Sequence, residues 1–134
     1  VRLNLYAYLD DKKNVVRCDY TDLFGITNDD DRKVVKTNIN GILVSTVFLM
    51  MDHGNDLWFE TMIFGSQKWE HYQQRYKTYN ESLIGHYKII RDIFFGSEDG
   101  INDLLFILYL EENEEPDIIK FIIKKLNLYS EGGG

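Results

Sequence analysis

The chain opens on strict alternation. Leu3, Leu5, Ala7 and Leu9 interleave with Arg2, Asn4, Tyr6 and Tyr8, the period of two that marks a half-buried strand. Residues 10–14 form a polar turn and residues 15–19 return as a short strand, so a hairpin is predicted. Residues 20–32 lose the period and read as a loop with a helical turn near 22–25. The centre is clearest. Residues 33–38 are β-biased, and Asn40-Gly41 is a type I′ hairpin turn, in which both positions take positive φ. Residues 42–52 follow as a long strand, 53–56 as a turn and 57–64 as the next strand. If 52 pairs with 57, one face carries Val44, Thr46, Phe48, Met50, Leu57, Phe59, Thr61 and Ile63. The other carries Ser45, Val47, Leu49, Met51, Trp58, Glu60, Met62 and Phe64. Both faces are largely apolar, so these strands should be central and covered on both sides.

The period changes after Gly65. Residues 66–74 are polar apart from Trp69 and Tyr72, and 75–78 can form a short strand. Thr78 and Glu81 have capping-box spacing. Leu83, Tyr87, Ile90 and Phe94 then fall on one helical stripe, which Gly96 should terminate. Residues 101–111 read as a second helix, with a buried strand as the alternative for the Leu-Leu-Phe-Ile-Leu run. Residues 117–126 read as a third helix, with Ile118, Ile119, Ile122 and Leu126 apolar and Lys120, Lys124 and Lys125 polar. Strands first and helices afterwards is the α+β pattern: an antiparallel sheet of about five strands, a packed helix, and two additional C-terminal helices. Residues 1–95 are expected to form the core domain, 96–130 a helical extension packed on it, and 131–134 a flexible tail.

Composition narrows the class. The 134 residues, 44% of them hydrophobic, suffice for one domain with a real core. The single cysteine, Cys18, excludes an internal disulfide framework and a Cys-based zinc site. No apolar run approaches the roughly 18 residues of a membrane span, and nothing reads as a signal peptide. The net charge is −7, the reverse of what a nucleic-acid backbone binder carries. One Ala, one Pro and abundant Ile, Asn, Lys and Tyr are the mark of an AT-rich genome, bacterial or phage.

Few residues could carry chemistry. Glu60 lies mid-strand among apolar neighbours, where a carboxylate needs a partner. It is either a site acid with a perturbed pKa or half of a structural pair, for which Arg75 is the favoured mate. Asp52 and His53 end the long strand on a turn. His86 lies at the edge of the helix stripe beside Gly85, a residue that lets a strand or ligand approach closely. Arg75 and Tyr76 precede the capped helix. Asp52, His53, Glu60, Arg75, Tyr76 and His86 are therefore the candidate pocket or buried polar network. His53, Glu60 and His86 are of metal-ligating types but lack ligand spacing, so no metal and no cofactor is assigned. Cys18 has no activating signature, and Ser45 lies within a strand rather than on a nucleophile elbow. Two acidic clusters remain: Asp29, Asp30 and Asp31, and Glu111, Glu112, Glu114, Glu115 and Asp117. Each is a solvated loop or a carboxylate array for a basic partner groove.

Four segments in order, Ser-Thr-Val-Phe-Leu-Met-Met-Asp-His at 45–53, Phe-Glu-Thr-Met-Ile-Phe-Gly at 59–65, Arg-Tyr-Lys-Thr at 75–78 and Gly-His at 85–86, resemble a family of small phage and prophage proteins, mostly of unassigned function. The family pattern runs STVFLG-DH, FETMVFG, RYSTWEEA, GH. The resemblance spans residues 32–92. Met50 stands where the family has Gly, the loop at 54–56 is shorter, and residues 97–129 have no counterpart. The resemblance implies a phage origin and the cytoplasm of a bacterial host. With the acidic charge and the absence of a catalytic set, it suggests a non-catalytic binding protein that inhibits a host nucleic-acid-processing defence complex, as anti-CRISPR proteins do. The expected partner is a host protein complex rather than nucleic acid or membrane. The alternative is a nucleotide or small-molecule binder, or an enzyme, with its pocket around Asp52, His53, Glu60, Arg75 and His86.

Overall fold

The computed structural model describes residues 5–23, 32–96 and 100–128. The fold is α+β, with six antiparallel strands in two sheets rather than one sheet of about five. β1 (Tyr6–Leu9) and β2 (Val15–Cys18) form a hairpin. Its turn is held by the Asp10 carboxylate, which accepts the Lys12 and Asn14 amides at 2.9 and 2.8 Å. A 3₁₀ turn follows at Tyr20–Leu23. The second sheet runs β3 (Lys33–Ile39), β4 (Ile42–Phe48), β5 (Phe59–Phe64), β6 (Gln73–Tyr76), each strand beside its sequence neighbour. The predicted Asn40-Gly41 turn joins β3 to β4, with φ of 52° and 85°.

Within β4 and β5 the side chains share faces as the sequence assigns them, but the register is two residues off, and Trp58, assigned to the Glu60 face, packs with Phe48, Phe59 and Tyr76. Glu60 faces Val47, not Leu49. β4 also stops at Phe48 rather than continuing to 52. Met50 has φ 67°, and this left-handed residue turns the chain away from β5 and onto β1. The Ala7 amide donates to the Met50 carbonyl at 3.0 Å and the Asp52 amide to the Leu5 carbonyl at 2.7 Å. A segment that reads as one strand thus hydrogen-bonds to two sheets in turn. A shift of two preserves which side chains share a face, because the strand period is two.

Helix α1 (Tyr79–Ile90) starts at the predicted cap. Thr78 Oγ1 accepts the Glu81 amide at 3.1 Å and donates to the Glu81 carboxylate at 3.1 Å. The helix widens into a π-helical turn, Arg91–Phe95, and ends at Gly96 with φ 85°. α2 (Gly100–Asn113) and α3 (Pro116–Lys125) follow, so residues 104–108 are helical and the strand alternative falls. Pro116 occupies the first turn of α3, where its missing N–H costs nothing. At the other end the Asn127 and Leu128 amides donate to the Lys124 and Ile123 carbonyls. With Asn127 at φ 55°, this is a Schellman stop.

The chain divides into two compact units, Val1–His86 and Tyr87–Gly134, so the division falls inside α1 rather than at its end. In the first unit, one face of the β3–β6 sheet holds Val44, Thr46, Phe48, Phe59, Thr61, Ile63 and Tyr76, all buried. The first two turns of α1 lie on this face, with the Tyr79 ring edge-on to Phe59. In the second unit, Phe95, Phe106 and Tyr109 form an aromatic cluster. Arg91 and Asp103 form a buried ion pair at 2.8 Å. Among the described residues no helix is long and apolar enough to cross a membrane.

Candidate functional site

The six candidate residues do not converge. The β-sheet sorts them by strand parity into two faces, and a turn takes the rest. On the helix-covered face, α1 aims His86 at the middle of the sheet, where it is completely buried. Its Nε2 lies 2.8 Å from Thr37 Oγ1 and its Nδ1 lies 2.9 Å from Thr46 Oγ1. Thr46 Oγ1 in turn lies 2.5 Å from Thr61 Oγ1. A neutral imidazole has one donor nitrogen and one acceptor nitrogen, and hydroxyls can answer both. Burial pushes the His86 pKa down to about 3, so the ring is neutral across the ordinary pH range. The arrangement is a polar chain from β3 through α1 to β4 and β5, sealed in the core.

Tyr76 belongs to the same face. Its ring lies against α1 at Gly85, where an added Cβ would stand 2.2 Å from the phenolic oxygen. The close approach anticipated for Gly85 is therefore filled by this ring rather than by a ligand. Burial raises the Tyr76 hydroxyl to about 12. That oxygen is buried with no partner at hydrogen-bond distance among the described residues.

Glu60 and Arg75 face the opposite way. They sit directly across β5 and β6 from each other, beside Val47 of β4. Arg75 Nε donates to Glu60 Oε2 at 2.9 Å and Gln73 Nε2 donates to the same oxygen at 2.6 Å. Glu60 is only 8% exposed, and this pair satisfies the need its position creates. The structural reading of Glu60, with Arg75 as its mate, describes what the sheet builds.

Asp52 and His53 lie on the turn after β4. Asp52 accepts the Gly54 amide at 2.7 Å and the Arg17 guanidinium at 3.0 Å. Partial burial works to raise the Asp52 carboxyl, but the Gly54 amide and Arg17 outweigh it and hold the group below the usual carboxylate range. Arg17 also pairs with Asp56 and stacks over the Trp58 ring, 4.9 Å from its centroid. His53 is exposed.

The pocket expected around Asp52, His53, Glu60, Arg75 and His86 is therefore not formed. A β-sheet separates His86 from Glu60, and the turn holds Asp52 with Arg17. Among the described residues, His, Cys, Asp and Glu side chains nowhere gather in threes as a metal site requires. Sequence reasoning missed Arg17, Gln73, Thr37, Thr46 and Thr61 as partners. Thr46 and Thr61 were legible as sharing a face, but nothing in the sequence aims His86 at them.

The acidic clusters part in the same way. Asp29, Asp30 and Asp31 lie outside the described residues. Glu111, Glu112, Glu115 and Asp117 are exposed around the α2–α3 turn. Glu114 instead turns inward and accepts the Tyr87 hydroxyl. Burial, with Glu115 adjoining, raises the Glu114 carboxyl above its ordinary value. No protein-family model, curated protein or solved structure matches the chain.

Proposed function

We propose that the protein is a phage-encoded, non-catalytic binding protein. It acts in the cytoplasm of a bacterial host and inhibits a nucleic-acid-processing defence complex by presenting carboxylates to a basic surface. One observation carries the reading: Glu111, Glu112, Glu115 and Asp117 project from a turn whose geometry is anchored by the Glu114–Tyr87 hydrogen bond. Carboxylates on a fixed helix–turn–helix frame offer a charge array with little ordering cost on binding, whereas the same charges on a loose loop would pay it. The net charge of −7 steers such a protein toward cationic surfaces and away from nucleic acid. The resemblance of residues 32–92 to phage proteins supports the setting. The pairing-off of Glu60, Arg75, Asp52 and His86 supports a surface role over catalysis.

The test is affinity capture from defence-proficient cells, together with plating of phage that carry or lack the gene. The wild-type chain should retain a defence effector at low salt and raise plating on defended hosts. A variant with Glu111→Lys, Glu112→Lys and Glu115→Lys should do neither while keeping its thermal unfolding midpoint. Equal plating with and without the gene, and no effector retained at low salt, would sink the reading.

A further inference from the structure

Helix α2 is apolar around nearly its whole circumference. Residues 104–110 are Leu-Leu-Phe-Ile-Leu-Tyr-Leu. Asp103, Phe106 and Leu110 make its buried side. On the opposite side Leu105 and Leu108 are 50% and 56% exposed. A helix that faces water places charge at those positions. Isolated exposed leucines are ordinary. These two stand three residues apart, and Glu112 continues their line one turn on. Glu111 and Glu115 are exposed at the same end. Among the described residues no ion pair holds any of the three glutamates.

Helix α3 carries the complementary chemistry. Ile119 and Ile122 are its buried side, and Lys120, Lys124 and Lys125 are exposed. Lys120 and Lys124 are separated by four residues, as are Leu108 and Glu112. Lysine combines an apolar stem, able to cover a leucine, with an ammonium able to reach a glutamate beyond it. One chain thus exposes both halves of a contact.

We infer that these faces form a self-complementary interface, with α2 of one copy receiving α3 of a second copy of this chain. A two-fold axis makes the contact reciprocal: each copy gives one acidic, leucine-bearing helix and one basic helix, and the assembly closes as a dimer. The inference is independent of the proposed function. A second copy and a basic partner would compete for the same glutamates, so dissociation would free the acidic face.

The test measures the mass of the full chain in solution by sedimentation, at low and high salt. The wild type should form dimers that weaken as salt rises. Leu105→Gln with Leu108→Gln should weaken association by about tenfold or more, with the far-ultraviolet circular dichroism unchanged. Charge reversal gives a sharper reading. The chain with Glu111→Lys and Glu112→Lys should be monomeric, and so should the chain with Lys120→Glu and Lys124→Glu. Mixed together they should form a heterodimer, because each α2 again meets an α3 of opposite charge. A wild type that stays monomeric at low salt overturns the inference. So does a dimer that survives the lysine reversal, since that dimer would be built on another surface. The readout is the chain's own mass, so this inference and the capture of a host protein fail separately.

Discussion

Gly85 and Tyr76 meet without room for a single added carbon. A Cβ on Gly85 would stand 2.2 Å from the Tyr76 oxygen and 2.4 Å from two of its ring carbons. The helix sits this close to the sheet because residue 85 has no side chain.

That contact sets the first expectation. In an open helix, Gly→Ala adds about 1 kcal/mol of stability. Here Gly85→Ala forces the buried Tyr76 ring or the helix to move, an overpacking cost of about 1–3 kcal/mol. Gly85→Ala should therefore lower stability in the wild type. In a Tyr76→Ala background the same change should become neutral or stabilising, since the ring that it strikes is gone. Urea unfolding of the four chains measures this coupling. Additive effects would mean that Tyr76 does not hold the helix in place.

His86 sets a pH dependence with a definite sign. The unfolded chain protonates this histidine below about 6.5, whereas the folded chain does so only near 3. Between those values the unfolded state binds more protons, so stability falls as pH falls, by about 1.4 kcal/mol per unit from this group. Asp52, whose carboxyl is lowered, adds loss of the same sign only below the carboxylate range. Glu114, whose carboxyl is raised, contributes in the opposite sense as pH climbs through its folded value. Glu114 works against the histidine as pH changes, so the histidine's share between pH 6.5 and 5 is read from the difference between the wild type and His86→Gln. His86→Gln should be less stable at pH 7, because the threonine hydroxyls lose their partner. It should also show a flatter pH slope in that window, and an unchanged slope would assign the titration elsewhere.

Glu60 and Arg75 set a third. Glu60→Leu leaves the Arg75 and Gln73 donors without their acceptor and should cost about 2 kcal/mol. Replacing Arg75 as well should restore part of that loss, giving a coupling of about 1 kcal/mol in a double-mutant cycle. Added salt should change it little, because Glu60 is buried. A coupling near zero would leave the pair as geometry without energy.

Met50 sets a fourth. It holds φ 67° with its side chain packed against the cluster of Ala7, Phe48, Trp58, Phe59 and Tyr76. Met50→Ala and Met50→Gly lose the same packing, but only Gly relieves the left-handed strain of about 1–2 kcal/mol. The Gly variant should therefore unfold at higher urea than the Ala variant, the reverse of their order in a helix or strand interior.

Most of the local structure was legible. The Asn40-Gly41 turn, the Thr78 cap, the Gly96 stop and the three helices each rest on a few neighbouring residues, and local chemistry decides them. The face assignment of β4 and β5 was legible too, because alternation survives a two-residue slip. The alternation at 42–52 predicts a longer strand than forms, because Met50, a residue with no turn signal, adopts the backbone that a glycine would mark. The site is less legible in the sequence than the fold. Asp52, His53, Glu60, Arg75, Tyr76 and His86 are near one another in composition and order, yet only strand parity and the helix position decide which can meet.

The sequence by itself determined the α+β class, the element order, the acidic charge and the need of Glu60 for a partner. These depend on period, turn chemistry and the cost of burying a lone carboxylate, all of which act over a few residues. Only the tertiary structure decided that Arg75 and Gln73 answer Glu60 on one face while Thr37 and Thr46 hold His86 on the other. It also decided that Leu105 and Leu108 face outward. Those outcomes depend on which surfaces close against each other, and burial is a property of the assembled layers rather than of any one segment.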